Sequence, residues 1–360
     1  MKNRFIYIFI INAFLLLFLL FSCADTKQEE KEAILNWTNL DLTEDWQTGK
    51  TNADGIDPEK LEAAIEKVKA LSDFYSIGIV FRGRLVKEVY NVGDSDRKYH
   101  VWSVTKSITS ALVGQLIDSG ELKDEFVTIG ELYPGLNDSL KQTINIYQLL
   151  TMTSGIKSDD DFADYMSYPN PTDFILARDL DFNPGTWWGY TSAGTHLLSD
   201  VFRKISKQPI GKYADEHLFL KIGITDINWI SDQQGNHNGG YGINIKLKDM
   251  LKFGQLYLQQ GKSAGEEIIS SGWIKKSTTM VIPFNSDQSW GYGYLWWIRK
   301  MNGELIYNAL GYGGQYIMVI PNRALVVAVT SSSTAAADYL EDIYDSITNG
   351  ILSSFSTLND

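Results

Sequence analysis

Residues 103–120, with the sequence SVTKSITSALVGQLIDSG, contain the pattern on which both the fold and the site predictions depend. Apolar residues recur every three or four positions, which predicts a helix that ends at Gly120. These apolar residues are Val104, Ile108, Leu112, Val113, Leu116 and Ile117. The helix begins with Ser103, and Lys106 lies one turn later on the apolar side, where burial lowers the pKa of an ammonium. The pair fits a serine nucleophile with a lysine base, although a surface helix that starts with serine has the same pattern.

Two further Ser-x-x-Lys matches and one Gly-x-Ser-x-Gly match compete with Ser103 for the role of nucleophile. Ser95 lies in a charged turn and Ser154 precedes a glycine that ends a helix, so both are predicted to be loop residues. Ser263 lies in GKSAG, residues 261–265, but a nucleophile elbow needs a strand before it and a helix after it. Because the preceding segment has a helical pattern, GKSAG is predicted to be a polar turn between two helices. Ser103 is therefore the preferred candidate.

Outside this stretch, both ends of the sequence predict strands and terminal helices, whereas the middle predicts helices. Runs rich in apolar and β-branched residues predict strands at 77–83, 85–92, 304–310, 315–320 and 324–330. Apolar residues at helical spacing predict helices at 58–71, 103–119, 144–151, 172–179, 195–205, 246–260 and 337–352.

The simplest assembly of these elements is an α+β fold, in which an antiparallel sheet flanked by terminal helices carries an inserted helical subdomain. The sheet subdomain is expected at about residues 55–100 and 285–355, and the helical insert at about 101–284. A cleft between the sheet and the insert is the expected place for a site.

The first 54 residues are predicted to lie outside the folded domain, which is expected to span 55–355. Residues 1–22 combine a basic start with an apolar run, which is typical of an export signal, with an uncleaved membrane anchor as the alternative. Leu20-Phe21-Ser22-Cys23 resembles a bacterial lipobox, so we expect Cys23 to be lipidated in an exported lipoprotein of the cell envelope. This lipid is the only membrane contact expected. Residues 23–54 are polar and are predicted to form a tether.

Composition and charge exclude several classes of function. Hydrophobic residues make up 44% and charged residues 21% of the chain, which is typical of a folded globular protein rather than a disordered one. The formal net charge of −12 argues against a nucleic-acid partner, because a phosphate backbone needs a basic face. A single cysteine excludes an internal disulfide and a Cys-based zinc site. No cofactor motif is present, and Asp159–Asp161 is more typical of a solvated loop than of a metal site.

A second group of candidate residues lies in NPGTWWGYTS, residues 183–192. A proline-glycine turn is followed by Tyr190 and Ser192, immediately before the helical segment GTHLLSDVFRKI. A tyrosine at such a junction can reach into a cleft. The alternative is a packing tyrosine with Ser192 as the helix N-cap.

Six segments, in order, resemble the serine hydrolases of the β-lactamase-related superfamily. That group includes class C β-lactamases, D-alanyl-D-alanine carboxypeptidases, related esterases and 6-aminohexanoate-dimer hydrolase. The segments are HVWSVTKSITS, YQLLTMTSGI, NPGTWWGYTSAGTHLLSDVF, GYGINIKLKDMLKFGQLYL, WGYGYLWW and ALGYGGQYIMVIPN. The resemblance covers about residues 60–345 and implies a β-lactamase/transpeptidase-like fold. It also implies that Ser103 is the acylated nucleophile and that Lys106 and Tyr190 move the proton. The oxyanion hole is then formed by the N–H of Ser103 and a backbone N–H just beyond Gly311.

The sequence departs from that family at two positions. Ser192 stands where members that act on β-lactams or peptidoglycan carry Asn, and the shorter side chain is expected to weaken one hydrogen bond to substrate and to Lys106. Ala309 stands where the third motif has Lys or His, and alanine cannot hold a substrate carboxylate. The segment that follows resembles the 6-aminohexanoate-dimer hydrolase and esterase branch; it is Gly311-Tyr312-Gly313-Gly314-Gln315.

These comparisons define the expected substrate-binding residues, which are Trp102, Ser192, Ala309, Gly311, Tyr312 and Gln315. Aromatic residues crowd the motifs and favour an apolar acyl group or a linear amide as substrate. We therefore predict a serine hydrolase that cleaves a small ester or amide through an acyl-enzyme, without a cofactor. The alternatives are a peptidoglycan D-alanyl-D-alanine carboxypeptidase or β-lactamase, and a non-catalytic binding protein on the same fold.

Overall fold

The computed structural model describes residues 36–157, 165–301, 303–335 and 337–358. The predicted export signal, Cys23 and the acidic run Asp159–Asp161 lie outside these residues. Within the described ranges, no helix is both long enough and apolar enough to cross a membrane.

An eight-stranded antiparallel sheet, built from both ends of the chain, is the central element of the fold. The strands are β1 (Phe74–Phe81), β2 (Arg84–Tyr90), β3 (Lys98–His100), β4 (Asn228–Trp229), β5 (Ile243–Lys246), β6 (Lys262–Ser263), β7 (Glu266–Glu267), β8 (Ile282–Pro283), β9 (Trp290–Tyr292), β10 (Trp297–Met301), β11 (Glu304–Gly311), β12 (Gln315–Ile320) and β13 (Leu325–Ser331). The sheet has the order β2-β1-β13-β12-β11-β10-β9-β8, and β3-β5-β4 form a smaller sheet. Strands from the two chain ends therefore meet where β1 pairs with β13.

Helices dominate the segment between the two parts of the sheet and also flank it at the chain ends. The α-helices are α1 (Pro58–Lys69), α2 (Val104–Asp118), α3 (Ile129–Leu132), α4 (Ile146–Leu150), α5 (Pro171–Ala177), α6 (Ser192–Ser206), α7 (Ile210–Ala214), α8 (Leu247–Leu258), α9 (Ser271–Ser277) and α10 (Ala337–Asp345). The α+β prediction is thus confirmed. The closing helix predicted over 337–352 is α-helical only to Asp345 and continues as a π-helix to Ile351.

The sheet packs helices on both faces, because its central strands are apolar on both sides. In β12, Tyr316, Met318 and Ile320 belong to the core that α1 and α10 cover. The alternating residues Ile317 and Val319 belong to the larger core on the opposite face. A strand buried on both faces has a continuous apolar sequence rather than an alternating one, as QYIMVI does.

Helix α2 is buried on every side, and the alternative of a surface helix is therefore wrong. Its polar residues are buried along with its apolar stripe, and several of them make the hydrogen bonds that burial requires. Ser107 Oγ donates to the carbonyl of Leu295 at 2.7 Å, and Thr109 Oγ1 donates to that of Gly239 at 2.8 Å. A loop of the insert and the segment between β9 and β10 thus supply the partners of these hydroxyls.

Two sequence predictions about irregular segments need correction. Residues 36–50 were expected to be part of a tether, but Leu42 is 2% exposed and its N–H donates to Ser263 Oγ at 3.0 Å. The apolar residues of this segment are spaced irregularly among polar ones, so the sequence has no periodic pattern that would predict its burial. The GKSAG stretch is a hairpin of β6 and β7 rather than a simple turn between helices. Ser263 is therefore a strand residue that holds the N-terminal segment.

Candidate active site

Ser103 lies at the N-terminal end of α2, as the sequence predicts. Trp102, which precedes it, has φ 48°, an uncommon conformation for a residue with a side chain, and here it turns the chain into the helix. The end of β11 lies against this turn: a Cβ on Gly311 would be 2.2 Å from the carbonyl oxygen of Val101. Glycine at position 311 therefore allows β11 to approach the segment that carries Ser103.

Lys106 is 1% exposed and lies among three oxygen atoms. Its Nζ is 3.0 Å from Ser103 Oγ, 2.9 Å from Ser192 Oγ and 2.8 Å from the carbonyl oxygen of Gly240. Burial lowers the pKa of Lys106 to about 7, because the charged form loses its hydration. The amine can therefore be neutral near physiological pH and accept a proton from Ser103.

Tyr190 contacts both members of the Ser103–Lys106 pair. The Lys106 Nζ lies 4.7 Å from the centre of the Tyr190 ring, and the Tyr190 hydroxyl hydrogen-bonds to Ser103. Burial raises the pKa of Tyr190 and outweighs the hydrogen bond to Ser103, which acts in the opposite direction. Tyr190 is therefore protonated at neutral pH, and Lys106 is the basic group of the cluster.

Ser192 belongs to the same cluster, and the alternative of Ser192 as a helix cap is wrong. The N-cap of α6 is Thr191, whose Oγ1 accepts the N–H of Gly194 at 3.1 Å, so Ser192 is not the cap. Ser192 Oγ lies 2.9 Å from Lys106 Nζ, within hydrogen-bond distance. The hydroxyl of Ser192 is thus free of a capping role and is directed to the amine.

Aromatic rings border this cluster on two sides. Next to Ser103, the rings of Trp102 and Tyr312 meet edge to face at 5.5 Å, and Tyr312 is 52% exposed. On the other side, Tyr190 stacks on Trp297 at 5.9 Å, and Trp188 contacts both rings. The surroundings of Ser103 are therefore largely apolar.

Two of the expected substrate-binding residues, Ala309 and Gln315, have buried side chains. Ala309 has no exposed surface and lies in the core between β11 and the helical insert, so it does not present its side chain to a substrate. Gln315 is 1% exposed, and its amide exchanges hydrogen bonds with the backbone of Ser331 at 2.8 and 3.1 Å. Gln315 therefore ties β12 to β13, a role that its sequence position after two glycines does not reveal.

The competing serines lack a comparable lysine. Ser263 Oγ accepts the N–H of Leu42, and Ser154 Oγ accepts the N–H of Ile156 at 3.3 Å. The lysine that follows Ser95, Lys98, forms an ion pair with Asp226 at 2.5 Å and donates to the side chain of Asn228 at 3.1 Å. Among the three Ser-x-x-Lys pairs, the structure brings together Ser103 and Lys106.

A cavity of about 640 Å³ lies elsewhere, beside α5 and the C-terminal half of α6. Its carboxylate, Asp200, accepts the hydroxyl of Tyr133 at 2.6 Å and the guanidinium of Arg203 at 2.7 Å. These groups satisfy one another, and no serine lines the cavity. Within the described ranges, no three His, Cys, Asp or Glu side chains are placed to hold a metal ion.

Sequence reasoning missed the backbone side of the site. The carbonyl of Gly240 is a hydrogen-bond partner of Lys106, and the neighbouring Gly239 accepts from Thr109 on α2. A Cβ on Gly240 would lie 2.9 Å from the carbonyl oxygen of Ser192, so the loop can approach α6 only with glycine there. The pair of glycines was the available signal, and it does not specify what the loop contacts.

Known proteins resemble this chain in sequence. A family model described as beta-lactamase matches residues 76–348. The 6-aminohexanoate-dimer hydrolase of Paenarthrobacter ureafaciens is 24% identical over 288 residues, which are 71% of this chain and 71% of that protein. Penicillin-binding protein 4 of Amycolatopsis lactamdurans is 23% identical over 295 residues, which are 69% of this chain and 76% of that protein.

Solved structures of other proteins have a similar fold. The crystal structure of a D-stereospecific amidohydrolase from Streptomyces sp. superposes with a TM-score of 0.64 at 19% identity, covering 82% of this chain and 99% of the other. The family match spans the sheet, the insert and every residue of the Ser103 cluster. By sequence and by fold, this chain belongs to the beta-lactamase family of serine hydrolases.

Proposed function

We propose that the protein hydrolyses a small ester or amide through an acyl-enzyme on Ser103. Lys106 is the base that takes the Ser103 proton, and Tyr190 passes a proton between the amine and the leaving group. The observation that supports this proposal best is a fully buried amine, 3.0 Å from Ser103 Oγ, whose pKa burial lowers to about 7. A lysine placed there for structure alone would carry the cost of burial without a compensating carboxylate.

The proposed reaction has two steps of the same kind. Ser103 Oγ attacks the substrate carbonyl carbon while its proton moves to Lys106, and the leaving group departs with a proton supplied through Tyr190. Water then attacks the acyl carbon and loses a proton to the same base. The bond between that carbon and Ser103 Oγ breaks, Oγ takes up the proton, and the acid is released. The negative oxygen of each tetrahedral intermediate is stabilised by the N–H of Ser103 and by a backbone N–H just beyond Gly311.

The surroundings of Ser103 favour a neutral, apolar substrate. Position 309 is a buried alanine and supplies no cation for a substrate carboxylate. The guanidinium of Arg299 lies over the rings of Trp290 and Tyr344, at 5.3 and 4.9 Å, and is engaged there. A charge-assisted hydrogen bond is worth about 1.5–3 kcal/mol, so its absence lowers productive binding of a β-lactam about ten- to a hundredfold. The proposed substrates are short acyl esters and linear amides.

A substrate panel tests this proposal against its alternatives. Purified protein is assayed with p-nitrophenyl acyl esters, short linear amides, a D-alanyl-D-alanine peptide and a chromogenic cephalosporin, with Ser103→Ala as the control. We expect the highest kcat/KM for an ester or linear amide. A higher kcat/KM for the peptide or the cephalosporin would instead establish a carboxypeptidase or β-lactamase. No turnover of any substrate, with binding retained, would favour a non-catalytic binding protein.

We also propose that the protein is exported and anchored through a lipid on Cys23, from the basic start, the apolar run and the Leu-Phe-Ser-Cys order of residues 1–23. Mass spectrometry of the native protein should find a lipidated N-terminal Cys23. Cys23→Ser should prevent the modification. An intact Met1, or an unmodified Cys23 in mature protein, would contradict this proposal.

A further inference from the structure

The carbonyl that contacts Lys106 is held in place by one buried side chain. The Oδ1 atom of Asn238 accepts the N–H of Gly240 at 2.8 Å and that of Tyr241 at 3.1 Å. Asn238 has no exposed surface, and its own backbone N–H donates to Ile230 at 2.9 Å. Its amide therefore fixes the turn from which the Gly240 carbonyl reaches Lys106 Nζ.

A second buried residue supports Asn238. The Nδ2 of Asn238 donates to the hydroxyl of Tyr165 at 3.0 Å, and Tyr165 is also completely buried. The indole N–H of Trp229 donates to the Asn238 carbonyl at 2.8 Å. Because both ends of the side chain and the backbone are bonded, Asn238 has a single orientation.

The chemistry of a neutral amine gives this carbonyl a specific role. Neutral Lys106 has two N–H groups and one lone pair, and three oxygens surround it. The Gly240 carbonyl can only accept, so one N–H must point to it. With the second N–H on Ser192 Oγ, the lone pair is directed at the remaining oxygen, which is the hydroxyl of Ser103.

We propose that Asn238, supported by Tyr165, is a positioning residue that holds the Gly240 carbonyl against Lys106 and so directs the lysine lone pair at Ser103. The inference rests on the proposed function, because it takes Ser103 as nucleophile and Lys106 as base. Asn238 acts through Gly240 and touches neither the substrate nor the nucleophile.

Loss of Asn238 should lower both the pKa of Lys106 and the plateau rate. Simple loosening of the loop would lower the rate but would not lower that pKa. A carbonyl dipole favours the ammonium over the neutral amine, so a displaced carbonyl lowers the pKa of Lys106 further. The acid limb of the pH–rate profile then moves to lower pH, by about one unit, although the plateau rate falls about ten- to a hundredfold. Water entering a loosened site would hydrate the ammonium and move the limb to higher pH.

Other titratable groups also lie near Lys106: His100 packs against Trp102 beside Ser103 at 4.2 Å and His237 precedes Asn238 in the loop, and burial lowers the pKa of both imidazoles. The phenols of Tyr190, Tyr165 and Tyr241 pack around the site, and burial raises the pKa of each, so they are uncharged over the range. Behind Tyr165, His196 stacks on its ring at 5.2 Å and Asp232 lies 3.3 Å from His196. The His196→Gln variant is therefore included, to test whether the acid limb depends on His196 instead of Lys106.

The experiment measures the rate of Ser103 labelling by a fluorophosphonate probe from pH 5 to 9 in the full chain. The variants are Asn238→Ala and the milder Tyr165→Phe, which keeps the fold if Asn238→Ala does not. Ser199→Ala is the matched control, because its buried hydroxyl donates to Asn236 and His237 of the same loop but not to Gly240.

We expect a lower plateau and a lower midpoint in Asn238→Ala, a smaller change of the same sign in Tyr165→Phe, and the wild-type midpoint in Ser199→Ala and His196→Gln. An unchanged or higher midpoint in both Asn238→Ala and Tyr165→Phe would overturn the inference, as would an acid limb that disappears in His196→Gln. Failure of the proposed function is distinct from these outcomes: the wild-type protein would then not be labelled at Ser103.

Discussion

Replacing Lys106 by methionine should stabilise the protein at neutral pH while abolishing its activity. Burial moves the pKa of Lys106 from 10.5 to about 7, and at about 1.4 kcal/mol for each pH unit this is a cost of about 5 kcal/mol. Methionine removes that cost but also removes the hydrogen bonds of Lys106 to Ser103, Ser192 and the Gly240 carbonyl. At about 1 kcal/mol for each lost hydrogen bond, the net gain is about 2 kcal/mol at pH 7.

The pH dependence of this gain has a defined sign. Below pH 7 the amine carries its proton in both states, so the cost of burial is fully present in the wild-type protein, and at pH 7 about half of the folded molecules still carry that proton. Between pH 7 and 10.5 the folded protein holds Lys106 neutral while the unfolded chain is still protonated, and the cost declines. By pH 9.5 it has fallen by about 3 kcal/mol, so Lys106→Met should then be less stable than wild type by about 1 kcal/mol.

Urea unfolding followed by tryptophan fluorescence at several pH values from 7 to 9.5 measures this change of sign. Lys123→Met is the control, because the Lys123 side chain is 84% exposed and its loss carries no such cost. If Lys106→Met destabilises the protein by the same amount at every pH, the amine is not a buried base and the account of its pKa fails.

Three further variants test separate parts of the account. Tyr190→Phe keeps the stacked ring but removes the hydroxyl next to Ser103, so kcat should fall at least about a hundredfold with little change in Tm; a smaller loss of kcat would remove Tyr190 from the proton path. Gly311→Ala places a Cβ 2.2 Å from the carbonyl oxygen of Val101, so Ser103 labelling and Tm should both fall; unchanged labelling kinetics would mean that β11 does not shape the site. Leu42→Ala should lower the free energy of unfolding by about 2–4 kcal/mol in urea, because the N-terminal segment is part of the core; a change under about 0.5 kcal/mol would restore the tether prediction.

The sequence predicts the regular elements well because they depend on short-range patterns. The strand predicted at 315–320 and the helix predicted at 246–260 differ from β12 and α8 by at most two residues at either end. Apolar runs bounded by turns, and apolar stripes at helical spacing, are visible in a single sequence. The short strands β8, β9 and β10, at one end of the sheet order, were not predicted, because two to five residues of mixed polarity carry no such signal.

In the site, too, sequence predicts the contact that forms within one helix and misses the contacts that depend on how distant segments fold together. Ser103 and Lys106 lie one helical turn apart, so their contact is a local property of α2. Ser192 and Gly240 reach Lys106 from 86 and 134 positions away, and such contacts depend on how the insert folds. A backbone carbonyl such as that of Gly240 has no residue type to mark it.

The placement of Ala309 and Gln315 shows that a motif does not predict which way a side chain faces. Both follow the order of a known motif along the chain, yet one side chain lies in the core and the other bonds to Ser331 on β13. Strand alternation decides this, since neighbouring residues point to opposite faces of the sheet. Direct identification of buried residues therefore needed the pairing of β12 with β11 and with β13.

The most direct test of the central claim is peptide mapping after fluorophosphonate labelling of the full chain at pH 8. The account predicts one modified site, at Ser103, with labelling abolished in both Ser103→Ala and Lys106→Met and unaffected in Ser263→Ala. Label on Ser263 or Ser154, or labelling that survives Ser103→Ala, would show that the buried serine–lysine pair is not the reactive centre of this protein.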